Sequence, residues 1–159
     1  MMKKIIFVCL GNICRSPAAE GVFINILKKK NISKDFLIES AGTGDWHIGD
    51  LPDKRMIKAA EKRNIQLPSR ARQVQKEDLD KFDLVIVMDD SNLKNVTAMA
   101  SNDDQLKKIK KFTEFSSLGN YEIVPDPYFG GEEGFDEVLD LVTNCSKGLL
   151  DYCLGFDEK

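Results

Sequence analysis

Cys9 and Arg15 are separated by five residues, in a segment that reads CLGNICRS from Cys9 to Ser16. A thiol can attack phosphorus as a nucleophile, and a guanidinium can bind two oxygens of one phosphate group. The spacing alone is a weak signal, because a cysteine and an arginine fall at this separation by chance in many chains. The elements predicted on either side of the segment make the signal much stronger.

A continuous apolar run precedes this segment and predicts a buried strand at residues 4–9. Pro17 suits the first position of a helix and Ser16 suits the N-cap before it, so we predict a helix over residues 17–30. We expect Gly11 to permit the tight return between strand and helix. The positive N-terminal end of the helix would then face the loop, where it attracts anions.

The loop between strand and helix is therefore predicted to bind a phosphate group. Successive backbone N–H groups would point to its centre, and Arg15 would close it with two charge-assisted hydrogen bonds. The predicted phosphate-binding residues are Leu10, Gly11, Asn12, Ile13, Cys14, Arg15 and Ser16. The helix N-terminus, the guanidinium and the Ser16 hydroxyl would favour the thiolate form of Cys9 below the phosphorus.

Strand and helix patterns alternate through the rest of the chain. We predict further strands at 36–40, 84–88 and 108–112, and helices that open near residues 52, 89 and 135. This order is typical of an α/β fold, with a mostly parallel sheet covered by helices on both faces, in one domain spanning 1–159. Alternating lysines place the last strand at a sheet edge. Ligands bind at the carboxyl ends of such strands, where Cys9, Ser40 and Asp89 are expected.

The composition excludes several other classes of protein. A formal charge of −3 argues against a nucleic-acid binder, and no apolar run approaches the ~20 residues that cross a membrane. The N-terminus lacks the features of a secretory signal, so we predict a cytoplasmic protein whose four cysteines are free thiols. Cys9 and Cys14 miss the spacing of a zinc knuckle and His47 is the only histidine, so no metal site is predicted.

Residues 8–17 resemble the signature loop of the low-molecular-weight protein tyrosine phosphatases. The motifs SAGT at 40–43, ARQV at 71–74, MDDSN at 88–92 and DPYF at 126–129 follow in the family's order and at about its spacing, so the resemblance covers nearly the whole chain. It implies a flavodoxin-like three-layer sandwich with a four-stranded parallel sheet. It also implies that no cofactor is needed and that phosphotyrosine is hydrolysed in two steps.

The resemblance assigns the general acid to Asp126, in an Asp-Pro-aromatic motif. Pro125 and Pro127 stiffen this segment. Asp126 would protonate the leaving phenolate and then take a proton from the attacking water. The predicted substrate pocket consists of Ile13, Trp46, Tyr128 and Phe129. The apolar Ile13 favours an aromatic substrate, whereas related phosphoarginine phosphatases carry a smaller polar residue there.

The roles around the loop rest on the same resemblance. Asn12 is expected to brace the loop and Ser40 to hold Asn12, while Asp89 either anchors the loop that bears Arg15 or caps the next helix. Ser69 and Arg70 occupy the stretch where the family often has a histidine. We interpret His47 as a surface loop residue.

Cys14 lies in the same loop as the nucleophile, so a reversible disulfide with Cys9 is a second prediction. The expected partners are phosphotyrosine-containing proteins or peptides, small aryl phosphates, inorganic phosphate and oxyanion inhibitors, and the protein is expected to be a monomer.

Three alternatives remain open. A thiol-dependent arsenate reductase with the same loop would need resolving cysteines some seventy to eighty residues later, and residues 70–100 contain none. A phosphoarginine phosphatase would share the loop and the mechanism. A non-catalytic phosphate-binding module would need Arg15 but neither a thiol nor Asp126.

Overall fold

Strands and helices alternate along the computed structural model, which describes residues 2–119, 121–128 and 130–155. The strands are β1 (Lys3–Cys9), β2 (Phe36–Gly42), β3 (Leu84–Val87) and β4 (Ile109–Lys111). The helices are α1 (Arg15–Lys29), α2 (Lys54–Glu61), α3 (Asp78–Lys81), α4 (Asp90–Thr97), α5 (Asp103–Lys108) and α6 (Glu132–Cys153), with 3-10 turns at Ser33–Asp35 and Phe112–Phe115.

Within these residues, the four strands form one parallel sheet in the order β2-β1-β3-β4. The predicted α/β fold is confirmed, including the edge position of the last strand. That strand has only three residues and carries Lys110 and Lys111, a composition that discourages pairing with another chain. Because β1 is central, Cys9 lies at the end of a strand that is paired on both sides.

Two apolar cores lie on opposite faces of the sheet, as the alternation of side chains along β1 requires. Ile5 and Phe7 belong to the larger core, which also includes residues of α1, α2 and α6. Ile6 and Val8 belong to the smaller core, together with residues of α3 and α4. All four side chains are fully buried, and each contributes about 1.5–3 kcal/mol of burial free energy. The start of the nucleophile segment is therefore held from both faces.

Helix α1 begins earlier than the sequence pattern predicts. Its first residue is Arg15, and its N-cap is Cys14, without a side-chain capping bond. The prediction of Ser16 as N-cap is wrong, because this hydroxyl lies inside the first turn and bonds Cys9 instead. The short helices α3 and α5 were not predicted, since neither is long enough to show a helical period.

None of the helices in residues 2–119, 121–128 and 130–155 has the length and apolar composition needed to cross a bilayer.

Candidate active site

The nucleophile loop, residues 9–16, reverses direction at Asn12, which has a left-handed backbone with φ of 57°. Asparagine tolerates this conformation better than most residues. Asn12 is therefore the left-handed residue of the return, and Gly11, which was expected to permit it, does not have a positive φ. A Cβ at Gly11 would lie 3.1 Å from Cδ2 of the His47 ring, a tight contact that would require the ring to shift slightly. Gly42 is needed for space, since a Cβ there would lie 2.8 Å from the backbone carbonyl oxygen of Leu10.

The carbonyl groups of the nucleophile loop are bonded outward, to segments that surround it. The Thr43 N–H donates to the Cys9 carbonyl (2.9 Å) and the Gly44 N–H to the Leu10 carbonyl (2.9 Å). The Asp53 N–H donates to the Ile13 carbonyl (2.7 Å). Each peptide among the described residues is trans, so each N–H points opposite to the carbonyl of the preceding residue. The N–H groups of Leu10, Gly11 and Cys14 therefore face the centre of the loop, where they can bind an anion.

The sulfur of Cys9 lies at the base of this loop, and Cys9 as a whole is only 3% exposed. The Ser16 Oγ is 3.0 Å from the Cys9 Sγ, and the Asn12 backbone N–H donates to the same sulfur at 3.2 Å. The first turn of α1 also points its N-terminus at this position. The Asn12 N–H and the positive end of the α1 dipole therefore both lie beside the sulfur.

Arg15 is almost completely buried, and the Asp89 carboxylate holds it in place. Its Nη1 donates to Asp89 Oδ2 at 2.6 Å and to the Val124 carbonyl at 3.0 Å. Burial lowers the pKa of Arg15, but Cys9 and Asp89 outweigh that effect, so the pKa is raised overall. Because Nη1 is occupied by protein groups, the Nε and Nη2 edge is the one that can bind two phosphate oxygens.

Asp89 performs both of the functions considered for it. One carboxylate oxygen accepts from Arg15, and the other accepts from the backbone N–H of Asn92 at 2.8 Å, as the N-cap of α4. The anchor of the guanidinium is therefore itself fixed by a helix terminus.

Asp126 lies above the loop, in the acid loop formed by residues 124–128. Its Oδ2 is 3.7 Å from Arg15 Nη2, and its Oδ1 accepts from the backbone N–H of Tyr128 at 3.0 Å. The side chain is 41% exposed, so solvent reaches the carboxyl group. A carboxylic acid in this position can exchange protons with water and with a group that leaves from the nucleophile loop.

The pocket above Cys9 is walled by apolar and aromatic side chains. Its lining consists of Cys9, Leu10, Gly11, Ile13, Cys14, Arg15, Trp46, His47, Asp126 and Tyr128. The structure thus brings Ile13, Trp46 and Tyr128 together around the opening, as the sequence predicts. Phe129, the fourth predicted wall residue, lies outside the described residues.

His47 lies in a surface loop, as predicted, with its side chain 31% exposed. It lines the pocket beside Trp46, and its Nδ1 is 3.1 Å from Asp50 Oδ2. Its position next to Trp46, a predicted wall residue, could have indicated in the sequence that it lines the pocket.

The predicted bracing contacts are present. Asn12 Nδ2 donates to Ser40 Oγ at 2.9 Å and to Ser16 Oγ at 2.8 Å. Ser40 in turn donates to Glu20, a residue that the sequence analysis did not select. Burial raises the pKa of Glu20, and hydrogen bonds from Ser40 and Ser69 oppose that rise. Glu20 follows Ser16 by four residues on α1, so helical spacing could have placed both on one face.

Arg55 is a second residue that the sequence analysis missed. Its Nη2 donates to the Tyr128 carbonyl at 2.9 Å and to Asp53 at 2.9 Å, while its guanidinium lies 5.5 Å from the centroid of the Tyr128 ring. A second ring, Phe135, lies 4.7 Å away. Arg55 therefore links α2 to the acid loop. No local pattern indicates a contact between residues 73 positions apart.

Cys14 is a buried free thiol on the same loop as Cys9. Burial and the nearby Asp53 carboxylate raise the pKa of Cys14 far above its usual range. The two loop cysteines therefore have different surroundings. In the part of the chain that the structure describes, no three His, Cys, Asp or Glu side chains are grouped as a metal site requires.

Comparison with known proteins agrees with this geometry. The family model described as low molecular weight phosphotyrosine protein phosphatase matches residues 4–156. The low-molecular-weight phosphotyrosine protein phosphatase of Schizosaccharomyces pombe is 39% identical over 148 residues, which cover 92% of this chain and 94% of that protein.

Two solved structures illustrate the range of the fold. A protein tyrosine phosphatase from Entamoeba histolytica superimposes with a TM-score of 0.92 at 36% identity, covering 96% of this chain and 98% of that chain. The arginine phosphatase of Drosophila superimposes with a TM-score of 0.88 at 29% identity, covering 94% and 96%. From its sequence and its fold, the chain belongs to the low-molecular-weight phosphotyrosine protein phosphatase family.

Proposed function

We propose that this protein hydrolyses phosphotyrosine through a cysteinyl-phosphate intermediate on Cys9. The observation that carries the proposal is the nucleophile loop: its amide groups converge above a sulfur that accepts a hydrogen bond from the Asn12 backbone and lies 3.0 Å from the Ser16 hydroxyl, and Arg15 is fixed beside them. One domain of 159 residues, acting without a cofactor, suffices for this chemistry.

In the first step the phosphate dianion lies against the inward amides and the Nε and Nη2 edge of Arg15. The Cys9 thiolate attacks phosphorus, so that a P–S bond forms while the P–O bond to the phenol breaks. Asp126, in its acid form, donates its proton to the departing oxygen. The products are a cysteinyl phosphate, a neutral phenol and the Asp126 carboxylate.

In the second step water attacks the same phosphorus atom. Asp126 accepts a proton from that water, the P–S bond breaks, and its electron pair returns to the Cys9 sulfur. Inorganic phosphate leaves, and the starting protonation states are restored. The Ser16 hydroxyl, 3.0 Å from the sulfur, stabilises the thiolate at the beginning and at the end of the cycle.

The walls of the pocket favour an aryl ester over a phosphorylated guanidinium. Ile13, Trp46 and Tyr128 offer apolar and aromatic surface against which a phenyl ring can pack. The similarity to an arginine phosphatase keeps phosphoarginine as a second candidate substrate.

A substrate panel tests the proposal. Phosphotyrosine peptides, phosphoserine peptides, phosphoarginine and p-nitrophenyl phosphate should be compared at equal concentration, with the phosphorylated enzyme detected by intact mass. We expect phosphotyrosine and p-nitrophenyl phosphate to turn over fastest, without metal or added thiol, and the phosphoenzyme to be absent in Cys9→Ser. Faster release from phosphoarginine would overturn the substrate assignment, and turnover by Cys9→Ser would overturn the mechanism.

We also propose that Cys14 forms a reversible disulfide with Cys9 when the protein is oxidised. Both thiols lie on one loop, and such a bond would protect the nucleophile from irreversible oxidation. Peroxide should inactivate the wild type, and a dithiol should restore it, whereas Cys14→Ser should recover much less. Equal recovery by Cys14→Ser would eliminate the switch.

The proposed setting is the cytoplasm, where the four free cysteines remain reduced. We propose phosphotyrosine-containing proteins as partners, inorganic phosphate and related oxyanions as competing ligands, and a monomer as the working form.

A further inference from the structure

We propose that Gly44 is a specificity-determining residue that acts through Trp46: its missing side chain leaves the space in which the indole lies as a wall of the pocket. The described lining of the pocket includes Trp46 but not Gly44, so Gly44 is a positioning residue and not a catalytic one. The proposal rests on the proposed function, because it concerns which phosphate ester fits above Cys9.

The Trp46 ring lies directly against the backbone of Gly44. A Cβ at Gly44 would lie 2.9 Å from Cη2 of the indole, and Cζ3 and Cε3 would be closer still. Carbon atoms that are not bonded to each other pack at about 3.5–4.0 Å. The ring therefore occupies the volume that any side chain at position 44 would need.

Position 44 requires glycine for space and not for its backbone conformation. Among the described residues, the glycines with a positive φ are Gly49 and Gly155, so Gly44 lies outside the left-handed region that favours glycine. Alanine at this position would also keep the backbone N–H that donates to the Leu10 carbonyl at 2.9 Å. A methyl group at position 44 therefore acts mainly on the Trp46 ring.

The exposure of Trp46 determines which group gives way to such a methyl group. Trp46 is 70% exposed, so its ring can move further into solvent at small cost. The backbone of Gly44, in contrast, is bonded to the nucleophile loop. Gly44→Ala should therefore displace the ring and should not lower the unfolding temperature. A large fall in that temperature would show that the backbone gives way instead, and would overturn the proposal.

The bonds around Gly44 fix the Trp46 ring relative to the nucleophile. Gly44 donates its N–H to the carbonyl of Leu10, the residue that follows Cys9. Thr43 donates to the Cys9 carbonyl, also at 2.9 Å. An aryl ester bound at Cys9 would have its ring beside the indole, whereas its phosphate group would be held by the nucleophile loop. The position of the indole therefore affects the binding of the aryl group and not that of the phosphate.

The first test compares an aryl ester with inorganic phosphate in Gly44→Ala and in the wild type. We expect the KM for p-nitrophenyl phosphate to rise about fivefold, because the ring loses its aromatic neighbour. The kcat should stay within about twofold, since Cys9 and Asp126 are unchanged. The Ki of inorganic phosphate as a competitive inhibitor should also stay within about twofold, because the loop amides alone determine it.

Gly119→Ala is the matched control for this substitution. A Cβ at Gly119 meets nothing within 4 Å, and Gly119 has no positive φ, so the same methyl group is added there without a contact. This variant should match the wild type in KM, kcat and Ki. A rise in the KM of Gly119→Ala equal to that of Gly44→Ala would overturn the proposal.

A second test follows the ring itself. Trp46 is the only tryptophan of the chain, so tryptophan fluorescence comes from this residue alone. Gly44→Ala should shift the emission to longer wavelength and increase quenching by acrylamide, because the ring moves into solvent, while Gly119→Ala should change neither. The proposal is overturned if Gly44→Ala leaves either the fluorescence or the KM unchanged.

A double-mutant cycle tests whether Gly44 acts through Trp46. Trp46→Ala removes the wall, so Gly44→Ala should not raise the KM further in that background. Full additivity of the two substitutions would place the effect of position 44 outside the wall and would contradict the proposal.

Binding of an aryl phosphonate separates this inference from the proposed function. Phenylphosphonate cannot be hydrolysed, and its dissociation constant can be measured by calorimetry. It should rise about fivefold in Gly44→Ala and stay unchanged in Gly119→Ala. A wild-type protein that hydrolyses no aryl phosphate would contradict the proposed function, while the phosphonate and the fluorescence would still decide whether position 44 sets the fit of an aryl group.

Discussion

The nucleophile loop and the acid loop perform the two halves of the proposed reaction, and they are built very differently. In the nucleophile loop, Cys9 and Arg15 are each 3% exposed, and surrounding segments bond its carbonyl groups. In the acid loop, the Asp126 side chain is 41% exposed. That loop is fixed at one end, where the Val124 N–H donates to the Met88 carbonyl at 2.8 Å, and Arg55 reaches it at the other end.

This difference indicates which step depends on rigid geometry. Covalent attack needs phosphorus held in line with the sulfur, so its groups are fixed by the core before substrate binds. Proton transfer needs a carboxyl group that meets both a leaving phenolate and water, so partial exposure suits it. Substitutions in the two loops should therefore affect covalent attack and proton transfer separately.

The largest effect is expected for Cys9→Ser. A serine hydroxyl is a much weaker nucleophile than a thiolate, so turnover should fall by on the order of 10⁴-fold or more. The measurement is release of p-nitrophenol together with intact mass after a short reaction. A phosphate adduct in this variant would assign the nucleophile to another residue and remove the comparison altogether.

Asp126→Ala should lower turnover by an amount that depends on the leaving group of the substrate. Turnover of phenyl phosphate should fall by about 10²–10⁴, because the phenolate must leave without a proton. The loss should be smaller for p-nitrophenyl phosphate, whose leaving group needs less protonation. Equal losses for both esters would show that the acid loop has another task, such as binding.

Arg15→Lys tests whether the two-point hydrogen bonding of the guanidinium matters, rather than its charge. Lysine keeps a positive charge but cannot bind two phosphate oxygens while also contacting Asp89 and the Val124 carbonyl. We expect kcat to fall by about 10²–10³ for both esters alike. A loss that depends on the leaving group would instead place the effect in the acid loop, because Arg15 contacts both loops.

The main effect of Arg55→Gln should fall on the acid loop. Removing the guanidinium removes the bond to the Tyr128 carbonyl, so Asp126 spends less time in position. Turnover of phenyl phosphate should fall about fivefold, with a smaller loss for p-nitrophenyl phosphate. Arg63→Gln is a suitable control, because Arg63 bonds Asp140 on α6 and does not contact the acid loop. Equal losses in both variants would indicate general destabilisation.

The smallest effect concerns the pH dependence of stability. Burial raises the folded-state pKa of Glu20, so the folded protein binds this proton more tightly than the unfolded chain does. The contribution to the unfolding free energy is then fully present below the ordinary glutamate pKa and is lost as pH rises through the raised value. Relative to the wild type, Glu20→Gln should therefore be more stable at pH 7 than at pH 4, measured by urea unfolding. The opposite trend would contradict the raised pKa.

The sequence predicts the elements with strong local patterns and the residues with recognisable motifs. The apolar runs identify β1 and β3, and the Cys9 to Arg15 spacing identifies the nucleophile loop between β1 and α1. Local preference predicts Ser16 at the helix cap, because serine is common there. Its bond to Cys9 depends on the shape of a loop that local preference does not describe.

Contacts between distant segments could not be predicted in the same way. Arg55 meets the acid loop 73 residues later, and Glu20 meets Ser69 49 residues later. Each contact exists only once the sheet order has brought helices and loops together. A charged residue in a helix is usually solvated, so burial of the Glu20 carboxyl group has no signal in composition.

The inward amide groups of Leu10, Gly11 and Cys14 have one more consequence. In the proposed reaction they would bind the oxygens of the phosphoryl group, and they would meet the same oxygens on the released product. Free phosphate and other tetrahedral oxyanions in a buffer would therefore compete with substrate, so progress curves should bend before the ester is exhausted. An enzyme built on this loop slows as its own product accumulates.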